Sequence, residues 1–407
     1  MKDRLNIMKN KSFLSITLSL ALSFLTFSCS SNLDSNIELT QNDFIAQNTN
    51  VKKAKWTIMV YMSGDNNLEE YIVKDLEKEL GKIGSTSNVQ IVALSDRITG
   101  YDKTRGDWKG TKLFHVTKGM KAKAENAVSD LGEKSMGSPK TLTDFVSWSK
   151  SNYPAENYAL YFWGHGWSWH KGFTMEDKTN HDSLDPNEIK NVFDKLGKID
   201  MVAYDACNMG SIEVESLWYK HAKAIVHSQE FVGGDGIEYD QVLTKLNANP
   251  NLKAEDLAII TNKSAGTNKE KTGSAVILDA KFGNLIKAVD EWSIALKNGL
   301  DTNRKNYEKS FSKAQKFIEL PDDNDLYDLA SKISENVSDP IIKSKSTAVM
   351  SAVKSVILDE WHIKKYANAH GITISKVKAN DKEKKYYKTL DFSKNTNWDE
   401  FLDLYKN

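Results

Sequence analysis

The sequence predicts an α/β fold built on a mostly parallel central sheet with helices on its faces, followed by a helical C-terminal region. Three observations predict it. Six short apolar runs bounded by turn residues, TIMVYM, VQIVALSD, YALYFWG, IDMVAYDA, AIVHSQ and SAVILD, succeed one another from Trp56 onward. Strands covered on both faces read as continuous apolar runs of this kind. Helical stretches separate them: Ser138-Pro139 opens a helix through Trp148, and Asp185-Pro186 opens another through Leu196, closed by Gly197. Beyond Ala280 the period turns helical, with Leu285, Val289, Trp292 and Leu296 on one face and Leu326, Leu329, Ile333 and Val337 on another.

The N-terminus carries Lys2, Arg4, Lys9 and Lys11, then the apolar run FLSITLSLALSFLTF from Phe13 to Phe27, then Ser28-Cys29-Ser30-Ser31. The run is short and Ser-rich for a membrane span and suits a secretory signal cleaved before Cys29. Ser28-Cys29 is similar to a bacterial lipoprotein junction, although bulky Phe27 stands where a small residue is usual, so ordinary signal cleavage stays open. Either way the mature chain is expected outside the cytoplasm, in a bacterial cell envelope and anchored by lipid, or secreted. Residues 30–50 are polar and rich in Asn and Ser, which reads as a flexible tether. Asp102 to Gly137 holds one strand-like run, TKLFHV, in a Lys- and Gly-rich stretch and reads as a surface excursion. The last forty residues or so mix a strand, GITISKV, a charged run, DKEKK, and an amphipathic turn, WDEFLDLY.

Lys plus Arg equals Asp plus Glu at 55 each, so no global field draws the chain to nucleic acid or an anionic membrane. The sequence holds two cysteines, Cys29 and Cys207. With Cys29 acylated, Cys207 is alone, and an exported protein without disulfides does not use sulfur as a staple. Composition leaves two readings of Cys207, a small buried hydrophobe or a working thiol.

Its neighbours favour the second. YALYFWG delivers His165-Gly166 and IDMVAYDA delivers Cys207. Loops leaving the ends of parallel strands converge, which makes His165 and Cys207 a candidate dyad. A Cys just before a helix starting near Met209 would have its pKa lowered by the helix dipole and by an imidazolium. The backbone N–H groups of Gly166 and Cys207 are the candidate oxyanion donors. Asp205 points the same way along the strand as Cys207 and is a candidate to bind a basic substrate side chain, with capping of the following helix, or partnering a neighbouring backbone donor, as its structural alternative. Asp235, in the loop GGDG, is a second candidate.

The sequence resembles the clostripain family of cysteine peptidases, related to caspases, gingipains and legumains. The resemblance rests on YALYFWGHG and IDMVAYDAC, on WTIMVYMSGDNNLE from Trp56 to Glu69, DACNMGSIE, SQE at Ser228 to Glu230, DLYDLA at Asp325 to Ala330, and WDEFLDLY, in this order over about 350 residues. It implies a caspase-like three-layer sandwich and an endopeptidase that cleaves after Arg or Lys through a Cys-His dyad and a thioester. It points to Asp205 as the specificity residue. It also implies self-cleavage between His165 and Cys207, where Lys178 and Lys171 are the candidate sites, and a monomer or self-cleaved two-chain form. No cofactor is required for that chemistry and no metal site is read, while the resemblance leaves calcium as a candidate support for activity or folding. The expected organisation is a signal peptide at 1–28, a lipidated tether at 29–52, a peptidase domain at 53–280 and a mainly helical C-terminal subdomain at 281–407 that completes it.

Other residues carry blander expectations. Asp65-Asn66-Asn67 lacks the periodic spacing of a calcium loop and reads as turn and capping chemistry bordering the site. His170, His181, His221 and His227 form no pair at metal spacing, and Trp163, Trp167 and Trp169 are cleft walls or, more simply, packing. KGMKAKAEN reads as a solvated face. The rival from another class is a catalytically silent surface lipoprotein that binds peptides or glycans; it predicts a lost dyad member, and both are present.

Overall fold

The computed structural model describes residues 53–174, 182–265, 271–318, 320–377 and 381–406. Nine strands form one sheet: β1 (Ala54–Gly64), β2 (Val89–Arg97), β3 (Gly110–His115), β4 (Ser129–Asp130), β5 (Ala155–Trp163), β6 (Met201–Asp205), β7 (Ala224–His227), β8 (Thr272–Ile277) and, from the C-terminal region, a tenth strand in chain order at Ile357–His362. The ninth, β9 (Asp323–Asp325), pairs instead with β11 (Thr373–Ser375) in a small antiparallel ribbon, so the sheet strand Ile357–His362 is β10. The sheet order is β10-β8-β7-β6-β5-β1-β2-β3-β4. Its five middle strands run parallel, and antiparallel strands flank them on both sides.

The six apolar runs supply β1, β2, β5, β6, β7 and β8. Alternate residues of one strand serve two cores, as the pleat requires. Met59 and Tyr61 pack with the helices Pro139–Asn152, Pro186–Leu196 and Ile212–Trp218, whereas Ile58, Val60 and Met62 pack with the helical stretch 69–83 and the helices Tyr239–Ala248 and Ala254–Ala265. The result is three layers. Asp185 closes a capping box with Glu188, and Gly197 ends that helix at φ 75°. The helices Ala280–Asn298, Leu326–Asn336 and Pro340–Val356 join the first core, and β10 extends the sheet, so residues 281–406 share both layers and core with the rest.

One expectation is corrected. The stretch 102–137 is no mere excursion, since TKLFHV is β3, paired to β2 with Leu113 and Phe114 fully buried. Its surface-like texture comes from Lys112, whose amine is paired with the Asp130 carboxylate on β4. The signal segment, the tether and Cys29 lie outside the described residues. No helix among the described residues is long and apolar enough to cross a membrane.

Candidate active site

β5 and β6 end side by side, and their register decides what meets there. Trp163 pairs with Asp205, and the Gly164 N–H extends the ladder by donating to the Asp205 carbonyl at 3.2 Å. His165 and Cys207 each stand two residues beyond that one pair, at the C-terminal ends of adjacent parallel strands. Gly166 is where the two loops touch. A Cβ there would stand 2.5 Å from the Cys207 carbonyl oxygen and 2.8 Å from Met209 Sδ, so only glycine lets the His165 loop lie against the Cys207 turn. The bridge from Gly166 to Phe173 engages the His165 carbonyl and the Trp167 N–H, leaving the Gly166 N–H outside that pairing.

The His165 ring is half-buried. Its Nε2 lies 2.8 Å from Asn67 Oδ1, just beyond β1. With the amide oxygen as acceptor the ring proton sits on Nε2, and Nδ1 is the basic nitrogen. Asn67 thus holds the His165 ring through this contact. The sequence reading placed its turn beside the site but had no means of linking it to His165.

Cys207 is half-buried and sits in a turn completed by Asn208, whose φ of 59° is a left-handed conformation that Asn tolerates. The helix expected from near Met209 begins later, at Ile212, where Ser211 accepts from the Val214 N–H at 3.3 Å. Gly210 and Ser211 are held by β11, the Gly210 carbonyl accepting from the Thr373 N–H at 2.8 Å. In that helix's first turn the Val214 N–H is taken up by the Ser211 hydroxyl, four residues beyond Cys207. Support for the sulfur is local instead: the Val232 N–H donates to Sγ at 3.4 Å, and the thiol donates to the Val232 carbonyl at 3.7 Å.

Asp205 is buried beneath this turn. Its carboxylate accepts from the Tyr239 hydroxyl at 2.9 Å and from the Ile237 N–H at 3.2 Å. Burial pushes its pKa up to about 6 against these hydrogen bonds. The helix that follows is capped by Ser211, not by Asp205, but Asp205 does partner a backbone donor, the Ile237 N–H, on the segment that leads from Asp235 into the helix Tyr239–Ala248. The Asp235 side chain is 64% exposed and pairs with Lys74 Nζ at 3.2 Å. The two aspartates thus flank one loop, Asp205 from below and Asp235 at its rim.

A sequence profile of the clostripain family matches residues 60–405. The chain belongs to this family. It is a cysteine peptidase, a hydrolase. Among curated proteins, clostripain from Hathewaya histolytica is 27% identical over 375 residues, covering 75% of this chain and 70% of that protein. Among solved structures, a secreted C11 cysteine protease from Bacteroides thetaiotaomicron in complex with an irreversible peptide inhibitor aligns at TM-score 0.64 and 16% identity, covering 85% of this chain and 100% of that one. An inactive zymogen C11 protease from Parabacteroides distasonis aligns at TM-score 0.61 and 16% identity, over 85% and 99%. At these identities the structures speak for the shared caspase-like fold alone.

The remaining family motifs have structural work that the geometry makes plain. Glu230 of SQE accepts from the Phe231 and Ile318 N–H groups and the Tyr366 hydroxyl, and its carbonyl accepts from the Asn208 N–H at 3.2 Å, which ties the Cys207 turn to the C-terminal region. Gln229 bonds Asp325 of DLYDLA, and Asp325 in turn caps the helix Leu326–Asn336. Trp163 and Trp169 are buried packing, the former donating to Asp75 at 2.7 Å. Trp167, with an edge of Trp169, lines a cavity of about 610 Å³ shared with Lys171, Asp185 and Tyr386. His170, His221 and His227 pair with Asp323, Asp194 and Glu215. Lys171 is exposed beside Trp167, while Lys178 and His181 lie outside the described residues.

One grouping was not legible in the sequence. Carboxylate oxygens of Asp65, Asp96 and Glu133 lie within 4.8 Å of one another, and Asp65 and Asp96 are buried. Such hard oxygen donors suit calcium, which takes six to eight ligands, the balance coming from water or carbonyls. The three come from the ends of β1 and β2 and from the segment after β4, which spacing alone does not bring together.

Proposed function

We propose that this peptidase is an endopeptidase that cleaves after Arg or Lys, with Cys207 as nucleophile and His165 as base. The observation that carries this is the register that sets both residues two steps beyond the Trp163–Asp205 pair, with Gly166 against Cys207. His165 Nδ1 takes the thiol proton, and the Cys207 sulfur attacks the scissile carbonyl carbon. The N–H groups of Gly166 and Cys207 receive the oxyanion. As the C–N bond breaks, the imidazolium returns its proton to the leaving amine and a thioester remains. Water, deprotonated by His165, then attacks the thioester and releases the acid and the thiol. Asp205 and Asp235 attract the basic side chain. Were calcium bound, Asp65, Asp96 and Glu133 would hold it; it would fix the turn that carries Asn67 and take no part in bond making.

The test is a set of fluorogenic peptides ending in Arg, Lys, Asp and Leu. The Arg and Lys members should exceed the others by roughly a hundredfold or more in kcat/KM. The Arg-to-Leu ratio cancels the titration of the dyad, so it should rise with pH through about 6 as Asp205 ionises. Equal kcat/KM across the four, or a ratio flat with pH, would contradict the assignment.

We further infer self-cleavage between His165 and Cys207, at Lys178 or at the exposed Lys171, and export with a lipid anchor on Cys29. One preparation tests both. Wild type should run as two chains and Cys207→Ala as one, and Cys29→Ser should move the protein from the detergent to the aqueous phase. An equally nicked Cys207→Ala, or unchanged partitioning of Cys29→Ser, would refute the respective step.

A further inference from the structure

Lys74 opens a seven-residue π-helical run, Lys74–Leu80, within the helical stretch that packs beside the Asp205 loop. Seven residues is long for a π segment, and such segments collect at functional sites. The wider turn brings Lys74 and Glu79 together, five positions apart, with Nζ 3.0 Å from Glu79 Oε1. The same ammonium lies 3.2 Å from Asp235 Oδ1 and 3.3 Å from the Asp235 carbonyl. Through Tyr239 the group extends to Asp205: the Tyr239 hydroxyl donates to Asp205 and its N–H to Glu79 at 2.8 Å. Three acidic side chains, Asp75, Glu79 and Asp235, therefore lie 3.6, 3.0 and 3.2 Å from one ammonium, with Asp205 a fourth behind Tyr239.

They are not all satisfied by it. Asp75, buried to 1% exposure, accepts from the Trp163 indole through Oδ2, but no donor among the described residues bonds its Oδ1. That oxygen faces Lys74 Nζ at 3.6 Å, beyond good hydrogen-bond distance. Partial burial works to lower the Lys74 pKa, and the carboxylates of Asp75 and Glu79 more than reverse this, so the amine is charged. Its side chain is 36% exposed, leaving a path outward.

We propose that Lys74 is a resident cation of the pocket for the basic side chain, displaced outward when a substrate Arg or Lys takes its carboxylates, and so sets the affinity threshold of that pocket. The proposal rests on the reading of Asp205 and Asp235 as that pocket. A guanidinium carries more donors in a rigid fork than an ammonium and can bond more than one carboxylate at once.

The experiment measures kcat and KM on Arg- and Leu-ending peptides for wild type, Lys74→Gln and Lys74→Arg. Lys74→Gln removes the competitor and should lower KM for the Arg peptide by roughly tenfold, with kcat moving less. Lys74→Arg keeps the charge and should keep KM near or above wild type. A KM that is unchanged or raised in Lys74→Gln would mean that the ammonium supports the pocket instead of competing for it, and would overturn the proposal. Should Lys74→Gln not fold, wild type decides: acetylation of Lys74 by acetic anhydride, read by mass spectrometry, should rise several-fold at saturating n-butylguanidinium, and an unchanged or reduced rate overturns displacement. If n-butylguanidinium does not inhibit and Arg peptides are turned over no better than Leu peptides, the basic pocket itself is refuted, and the role of Lys74 with it.

Discussion

Cys207→Ala is expected to lower kcat for peptide hydrolysis by ~10⁴-fold or more, His165→Ala by a comparable factor, and the double variant by little beyond either, because thiolate and proton carrier act as a unit. The fold should survive. Cys207 is half-buried in a turn held by the Asn208 and Gly210 N–H groups, and alanine leaves those backbone bonds intact. Thermal melting beside the kinetics separates lost chemistry from lost structure. A near-wild-type rate in either single variant would remove that residue from the mechanism.

Asp205→Asn is expected to lower kcat/KM for Arg and Lys peptides by roughly a hundredfold, and to lower Tm by only a few degrees, because it removes the pocket's charge while keeping an acceptor for the Tyr239 hydroxyl. Stability should show the charge separately. Burial raises the Asp205 carboxyl from the ordinary 3.8 to about 6, so the folded state binds this proton more tightly than the unfolded one. The contribution therefore favours the fold at pH below 3.8, and it is lost as pH rises through about 6. Wild type should accordingly lose stability relative to Asp205→Asn across that interval, as denaturant titrations at several pH values would show. A parallel loss of activity and stability at all pH values would make Asp205 a structural anchor of the 235–239 loop, and unchanged cleavage after basic residues would shift the charge to Asp235.

The strand ends were legible because buried parallel strands are contiguous apolar runs, and a run that stops at His165-Gly166 or Asp205-Ala206-Cys207 announces what it presents. The helix over Pro186–Leu196 was equally plain, since Asp185, Pro186 and Gly197 each fix a local conformation. Contacts set by tertiary placement were not. Asn67 meets His165 across 98 positions, and its exposed side chain has no periodic signature. Nothing in KDLEKEL reports the π register in which Lys74 meets Glu79 and Asp235. The late start of the helix after Cys207 escaped for a similar reason. Gly210 and Ser211 follow the extended path imposed by Thr373, which lies far along the chain. TKLFHV read as strand-like but its place in the core was missed, because a strand near the sheet edge can carry Lys112 and still bury Leu113 and Phe114.

The most direct measurement of the central claim is a peptide map of the wild-type chain after reaction with a peptide acyloxymethyl ketone ending in Lys. The account predicts a single adduct, on Cys207, that accumulates in step with the loss of peptidase activity and fails to form in Cys207→Ala. Full labelling of Cys207 with activity retained, or inhibition with Cys207 unmodified, would contradict it.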